Sequence, residues 1–156
     1  MIEAIITAKG FSIPCVNNNP IINAPQALKG IKIDEGAELA FSYQGDALKK
    51  RVAPLAAQVG SDIVLPCDVT DTASMDALFA ELENVWGSLD FVIHAIGFSD
   101  KSELRGRYVD TTAENFRMTM DISVYSFTAV CRRAAAMMPD GGSLLTLTYY
   151  GAERVM

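Results

Sequence analysis

From Ala37 onward the chain alternates short runs rich in β-branched residues with longer stretches of helical periodicity, and this alternation most restricts its fold. Apolar runs of roughly 4–8 residues suit strands buried on both faces, while the amphipathic stretches between them suit the crossover helices that parallel strands need. Strands are predicted at 38–43, 62–67, 91–95 and 143–148. A helix over 46–59 places Leu48, Val52, Leu55 and Ala56 on one face, and a second over 72–86 does the same with Met75, Leu78, Phe79, Leu82 and Val85. A long third helix, 113–138, carries Phe116, Met120, Ile122, Phe127, Val130, Ala134 and Met137, and stops at Pro139-Asp140-Gly141-Gly142. The expected class is α/β, with one continuous parallel sheet over residues 35–156.

Residues 1–34 follow another rule. Pro14, Asn17-Asn18-Asn19-Pro20 and Pro25 interrupt any helix, and no glycine-rich loop follows Ile5-Ile6. A pyrophosphate binds where glycines let the backbone approach it at the start of a helix, so this segment is divergent and has no phosphate cradle.

Composition removes several function classes. A net charge of −6 disfavours a phosphate-tracking surface, because nucleic-acid binding needs clustered Lys and Arg. No apolar run reaches the roughly 20 residues that span a bilayer, and no basic-then-apolar leader opens the chain, so the cytoplasm is the simplest location. Cys15, Cys67 and Cys131 are odd in number and lack Cys-x-x-Cys spacing, which supports neither a disulfide framework nor a metal site. With His94 as the single histidine, a Ser-His-Asp triad has one possible centre. His94 itself reads as a strand-end structural histidine, since no partner for acid/base work is identified.

The segments that can carry chemistry stand where strands end. They are Glu35-Gly36-Ala37-Glu38-Leu39-Ala40-Phe41-Ser42-Tyr43-Gln44-Gly45-Asp46, Cys67-Asp68-Val69-Thr70-Asp71, His94-Ala95-Ile96-Gly97-Phe98, Asp121-Ile122-Ser123-Val124-Tyr125-Ser126-Phe127 and Leu145-Thr146-Leu147-Thr148-Tyr149-Tyr150-Gly151-Ala152-Glu153-Arg154. Together they resemble the amino-terminal half of the bacterial NADH-dependent enoyl-(acyl-carrier-protein) reductases, an atypical branch of the short-chain dehydrogenase/reductases. The likeness is nearly continuous from Glu35 to Met156.

The resemblance implies a Rossmann-like, doubly wound parallel sheet, incomplete at the carboxyl end, with 35–156 as a partial dinucleotide-binding domain. It implies that NADH touches Gln44, Asp68, Val69, Ala95, Ile96, Gly97 and Ile122, with the Asp68 carboxylate accepting from the adenine amino group. It also implies that Phe98 and Ser99 approach the acyl substrate and that Tyr149 lies near the enoyl thioester. The substrate is then a trans-2-enoyl group on acyl-carrier protein, and a complete member is a homotetramer using the long helix as an interface. Bland roles stand beside these: Gln44 as a solvated loop residue, and Asp68 as a helix or turn cap. For Asp68 both roles can hold together. Tyr43 and Lys50 reproduce a Tyr-x6-Lys spacing, but they fall on the second strand of the family's fold and the helix after it, away from the reacting carbon.

The family continues from the first tyrosine to a second one and, six residues later, a lysine that binds the nicotinamide ribose; these fall beyond Met156. The expectation is therefore a fragment inactive by itself, with a non-catalytic nucleotide-binding remnant or interaction domain as the alternative reading. A short-chain dehydrogenase acting on alcohols or ketones ranks last.

Overall fold

The computed structural model describes residues 3–9 and 36–148. The divergent segment apart from 3–9, Cys15, and Tyr149 lie outside the described residues.

The elements run β1 (Glu3–Lys9), β2 (Glu38–Tyr43), α1 (Gly45–Gln58), β3 (Ile63–Pro66), α2 (Thr72–Trp86), β4 (Phe91–Ile96), α3 (Ala113–Met120), a π-helical turn (Asp121–Tyr125), α4 (Ser126–Ala136) and β5 (Ser143–Thr146). They form a five-stranded sheet in the order β3-β2-β1-β4-β5. The four strands expected from sequence are present, and β2 pairs with β3, and β4 with β5, in parallel. The added strand, β1, lies at the centre and runs antiparallel to both β2 and β4. Because both flank one antiparallel strand, β2 and β4 point the same way, so β2, β3, β4 and β5 all end on one edge.

Period-2 alternation divides the sheet residues between two cores. On one face Ala40 and Val92 pack with Met75, Leu78, Phe79, Leu82 and Trp86 of α2 and with Ala129, Val130 and Ala134 of α4. On the other, Leu39, Phe41 and Phe91 pack with Ala56 and Val59 at the end of α1. Helices on both faces make the sheet doubly wound, as the Rossmann-like expectation required. Asp71 caps α2 by accepting from the Ala73 N–H at 2.9 Å, and Gly87 ends it in the left-handed region at φ 72°. Gly142 is required by close approach: a Cβ there would stand 2.7 Å from the Asp90 carbonyl oxygen, beside which β5 begins.

Some expected faces are corrected. Leu55 and Val85 are exposed, and Trp86, one position on, takes the inward place at the end of α2. The long helix is not uniform, since a π turn separates α3 from α4, and Phe116 and Met120 are exposed. Buried Asn115 and Ser126, with half-buried Thr119, Ile122 and Ser123, make the inward stripe at this end largely polar. Asn115 accepts from the Asp100 N–H at 3.0 Å and Thr119 donates to Ser99 at 2.9 Å, which shows why: the helix holds a loop there. Apolar periodicity alone selected the neighbouring stripe.

Candidate functional site

The common edge where β2, β3 and β4 end holds a cleft of ≈ 120 Å³ lined by Ser42, Gln44, Cys67, Asp68, Val69, Thr70, Ile96, Phe98 and Ile122. Open α/β sheets bind ligands outside the carboxyl ends of their strands, and this cleft has that position.

Its polar end is built around Asp68. Thr70 donates to Oδ1 from its N–H at 2.8 Å and from its hydroxyl at 2.6 Å, while Gln44 donates from Nε2 to Oδ2 at 2.7 Å. Burial pushes the Asp68 carboxyl up, but the bonds from Thr70 and Gln44 outweigh it and hold the carboxyl below its ordinary value of 3.8. The carboxylate is therefore charged at neutral pH. A carboxylate has about four acceptor positions, and among the described residues these three bonds leave one for a ligand donor. Asp68 forms a turn with Thr70, and Asp71 caps α2, so the bland turn role and an open acceptor coexist.

Gln44 stands at the N-cap position of α1 without making a capping bond; its side chain reaches across to Asp68 instead. Two residues 24 apart in sequence thus meet at the cleft mouth.

The other walls are apolar. Val69 and Ile96 pack on the α2–α4 core as well as lining the cleft. Burial, with Asp68 adding to it, pushes the Cys67 thiol up to about 11, so it presents a neutral surface rather than a nucleophile. Phe98 and Ile122 complete the wall from the end of β4 and the π turn.

The remaining expected residues are placed differently. Ala95 is buried within β4 and does not line the cleft. Gly97 is exposed, and among the described residues a Cβ on it would meet nothing within 4 Å. The Ser99 hydroxyl does not line the cleft either; it is engaged with Thr119 at 2.9 Å and Asn115 at 3.4 Å. Sequence reasoning missed Ser42, Cys67 and Thr70. The spacing Asp68-x-Thr70, which favours a local turn closed by side-chain hydrogen bonds, is the signal that could have found Thr70.

His94 is fully buried and structural. Ser126 donates to the Ile122 carbonyl at 2.6 Å, so its oxygen accepts from His94 Nε2–H at 2.7 Å; Nδ1 then accepts from the Thr146 hydroxyl at 3.2 Å. Burial lowers its pKa, which keeps the ring neutral and ties β4 to α4 and β5. Among the described residues no His/Cys/Asp/Glu group is arranged to hold a metal ion, and no helix is long and apolar enough to cross a membrane.

Known proteins share this architecture. An enoyl-(acyl-carrier-protein) reductase (NADH) 1 of Rhizobium meliloti is 64% identical over 123 residues, 79% of this chain and 45% of that protein. The crystal structure of the Aquifex aeolicus enoyl-(acyl-carrier-protein) reductase (NADH) superposes with a TM-score of 0.77 at 42% identity, covering 84% of this chain and 52% of that one. The Anaplasma phagocytophilum reductase, solved in complex with NAD, gives a TM-score of 0.69 at 54% identity over 74% of this chain and 44% of that one. The chain spans about half the length of the curated relatives it matches. A sequence model of the enoyl-(acyl carrier protein) reductases matches residues 32–156, and the chain belongs to that family.

Proposed function

We propose that the chain forms the adenosine end of an NADH site in an enzyme that reduces trans-2-enoyl thioesters carried on acyl-carrier protein during fatty-acid synthesis. The observation that carries this reading is the Asp68 carboxylate, oriented by Thr70 and Gln44 and left with one open acceptor position beside apolar Val69, Ile96 and Ile122. An adenine ring has both the amino donor for that acceptor and the flat apolar faces for those walls.

The donor set fits the cofactor in charge as well. The Asp68 carboxylate repels a 2′-phosphate and neutral Gln44 offers it no cation, which favours NADH over NADPH. When bound, NADH supplies the hydride for the β-carbon of the enoyl thioester. Asp68 and Gln44 anchor the nucleotide, Val69, Ile96 and Ile122 exclude water along it, and Ala95 backs the wall from within β4. The absence of a side chain at Gly97, with nothing among the described residues within 4 Å of a Cβ there, admits the ligand close to the backbone. Phe98, with Ser99 held behind it, approaches the acyl chain, and Tyr149 stands near the thioester by family resemblance.

The exposed stripe Phe116, Met120 and Val124, at i, i+4 and i+8, supports self-association of the complete protein, in keeping with a homotetramer. A cytoplasmic location belongs to the same reading. A second reading, a nucleotide-binding module without turnover, is favoured by the direction of β1: its Lys9 end pairs with Glu38, at the edge opposite Gln44, so β1 does not lead into the cleft as a phosphate-cradling turn.

Two measurements separate the readings: titration of the 156-residue chain with NADH, and NADH oxidation with a crotonyl thioester by the same chain extended through the family's tyrosine and lysine segment. Binding by the chain and turnover by its extension support the enzyme. Binding without turnover in the extended form supports the module, and absence of binding refutes both.

A further inference from the structure

The π turn Asp121–Tyr125 does more than interrupt a helix, because its Ser123 closes a two-way contact with the strand-end turn after β4. The Phe98 N–H donates to Ser123 Oγ at 3.0 Å, and the same hydroxyl donates back to the Phe98 carbonyl at 3.1 Å. β4 has ended at Ile96, so the Phe98 peptide has left the sheet ladder. Among the described residues no other hydrogen bond reaches it. Among the described residues one side chain thus fixes its orientation, and that side chain is adjacent to Ile122, which lines the cleft together with Phe98.

A π turn adds a residue to the helical repeat and is a common way to redirect side chains at functional sites. Here it places two consecutive residues in complementary tasks, with Ile122 in the cleft wall and Ser123 on the peptide that carries the facing Phe98. We infer that Ser123 is a positioning residue for nucleotide binding: it fixes the Phe98 turn against the π turn and so sets the width of the cleft between Phe98 and Ile122. This inference rests on the NADH site proposed above. The ligand it serves is a dinucleotide reaching from the β2–β3 end of the cleft toward β4. The Ser123 hydroxyl meets both needs with one atom, because its oxygen accepts from the N–H and donates to the carbonyl of the same residue.

The test is NADH affinity, measured by calorimetry on fully folded protein, for the wild-type chain, Ser123→Ala, Ser123→Thr and Val130→Ala. Val130 is a fully buried core residue of α4 outside the cleft lining, so its truncation reports what loss of stability alone does to binding. The expected result is a Kd about tenfold weaker in Ser123→Ala, within about threefold of wild type in Ser123→Thr, and unchanged in Val130→Ala. Should Ser123→Ala fail to fold, Ser123→Cys, of similar shape but weak in hydrogen bonding, takes its place. Wild-type affinity in the Ala or Cys variant overturns the inference, and so does an equal loss in Val130→Ala. A folded wild-type chain that does not bind NADH refutes the site itself and the inference with it.

Discussion

Ser126→Ala is expected to destabilise the chain far more than loss of one small hydroxyl suggests. Ser126 is 1% exposed, and its oxygen joins two groups, the Ile122 carbonyl in the π turn at 2.6 Å and His94 Nε2 at 2.7 Å. Alanine fits the space but leaves a donor on a fully buried imidazole and an acceptor on the helix without that partner. Leaving a buried polar group unsatisfied costs roughly 1–3 kcal/mol, so two such groups, partly relaxed, imply about 2–4 kcal/mol. For a chain of this size that is a fall in Tm of about 5–15 °C. Urea unfolding with unchanged m-value measures the difference, and a double-mutant cycle with His94→Phe isolates the His94–Ser126 share at about 1–2 kcal/mol. A loss below about 0.5 kcal/mol in Ser126→Ala would refute the reasoning, because surface hydroxyls behave that way.

The buried ring also sets an acid limit. The pKa of His94 in the fold lies below its ordinary 6.5, so below that pH the unfolded chain takes up a proton that the folded chain refuses. The stability is fully present above 6.5 and is lost as pH falls toward the lower folded value; Asp68, held below 3.8, adds a further loss only in stronger acid. The urea midpoint should therefore fall between about pH 7.5 and about pH 5 in the wild type and change less in His94→Gln; equal changes would contradict the assignment. Cys67, with its thiol pushed from 9.0 to about 11, should alkylate at about pH 8 roughly 100-fold more slowly in the folded chain than in urea, read by peptide mass mapping. Rapid native labelling of Cys67 would show that the cleft wall opens.

Much of the fold was legible because strands and helices have different periods. Glu38–Tyr43 and Thr72–Trp86 carry bounds that matched, since Asp71 and Gly87 mark the ends of the second and Leu39, Phe41 and Ala40 alternate in the first. The direction of β1 was not legible: a strand of seven residues reads the same either way, and its pairing depends on partners far along the chain. The π turn was hidden for a related reason, since Asp121 to Tyr125 has no breaker and its geometry is set by Ser123 and Ser126 reaching β4 and the turn after it. At the site, Gln44, Asp68, Val69, Ile96 and Ile122, assigned to the cofactor by resemblance, line one cleft, and Phe98, assigned to the acyl substrate, lines it with them. What the sequence withheld was the bond between Gln44 and Asp68, because that contact exists only once β2 and β3 lie side by side, whereas the Asp68–Thr70 turn is local.

The most direct test of the proposed site is the affinity of the 156-residue chain for NADH and NADPH, with and without Asp68→Asn. The amide introduced by that substitution can keep a hydrogen bond but not the charge, and a hydrogen bond to a charged group contributes roughly 1.5–3 kcal/mol. The wild-type chain is expected to bind NADH more tightly than NADPH. Asp68→Asn should weaken NADH at least about tenfold and narrow the preference between the two nucleotides. Equal NADH affinity in both proteins, or no binding by a folded wild-type chain, would contradict the assignment of Asp68 to the nucleotide.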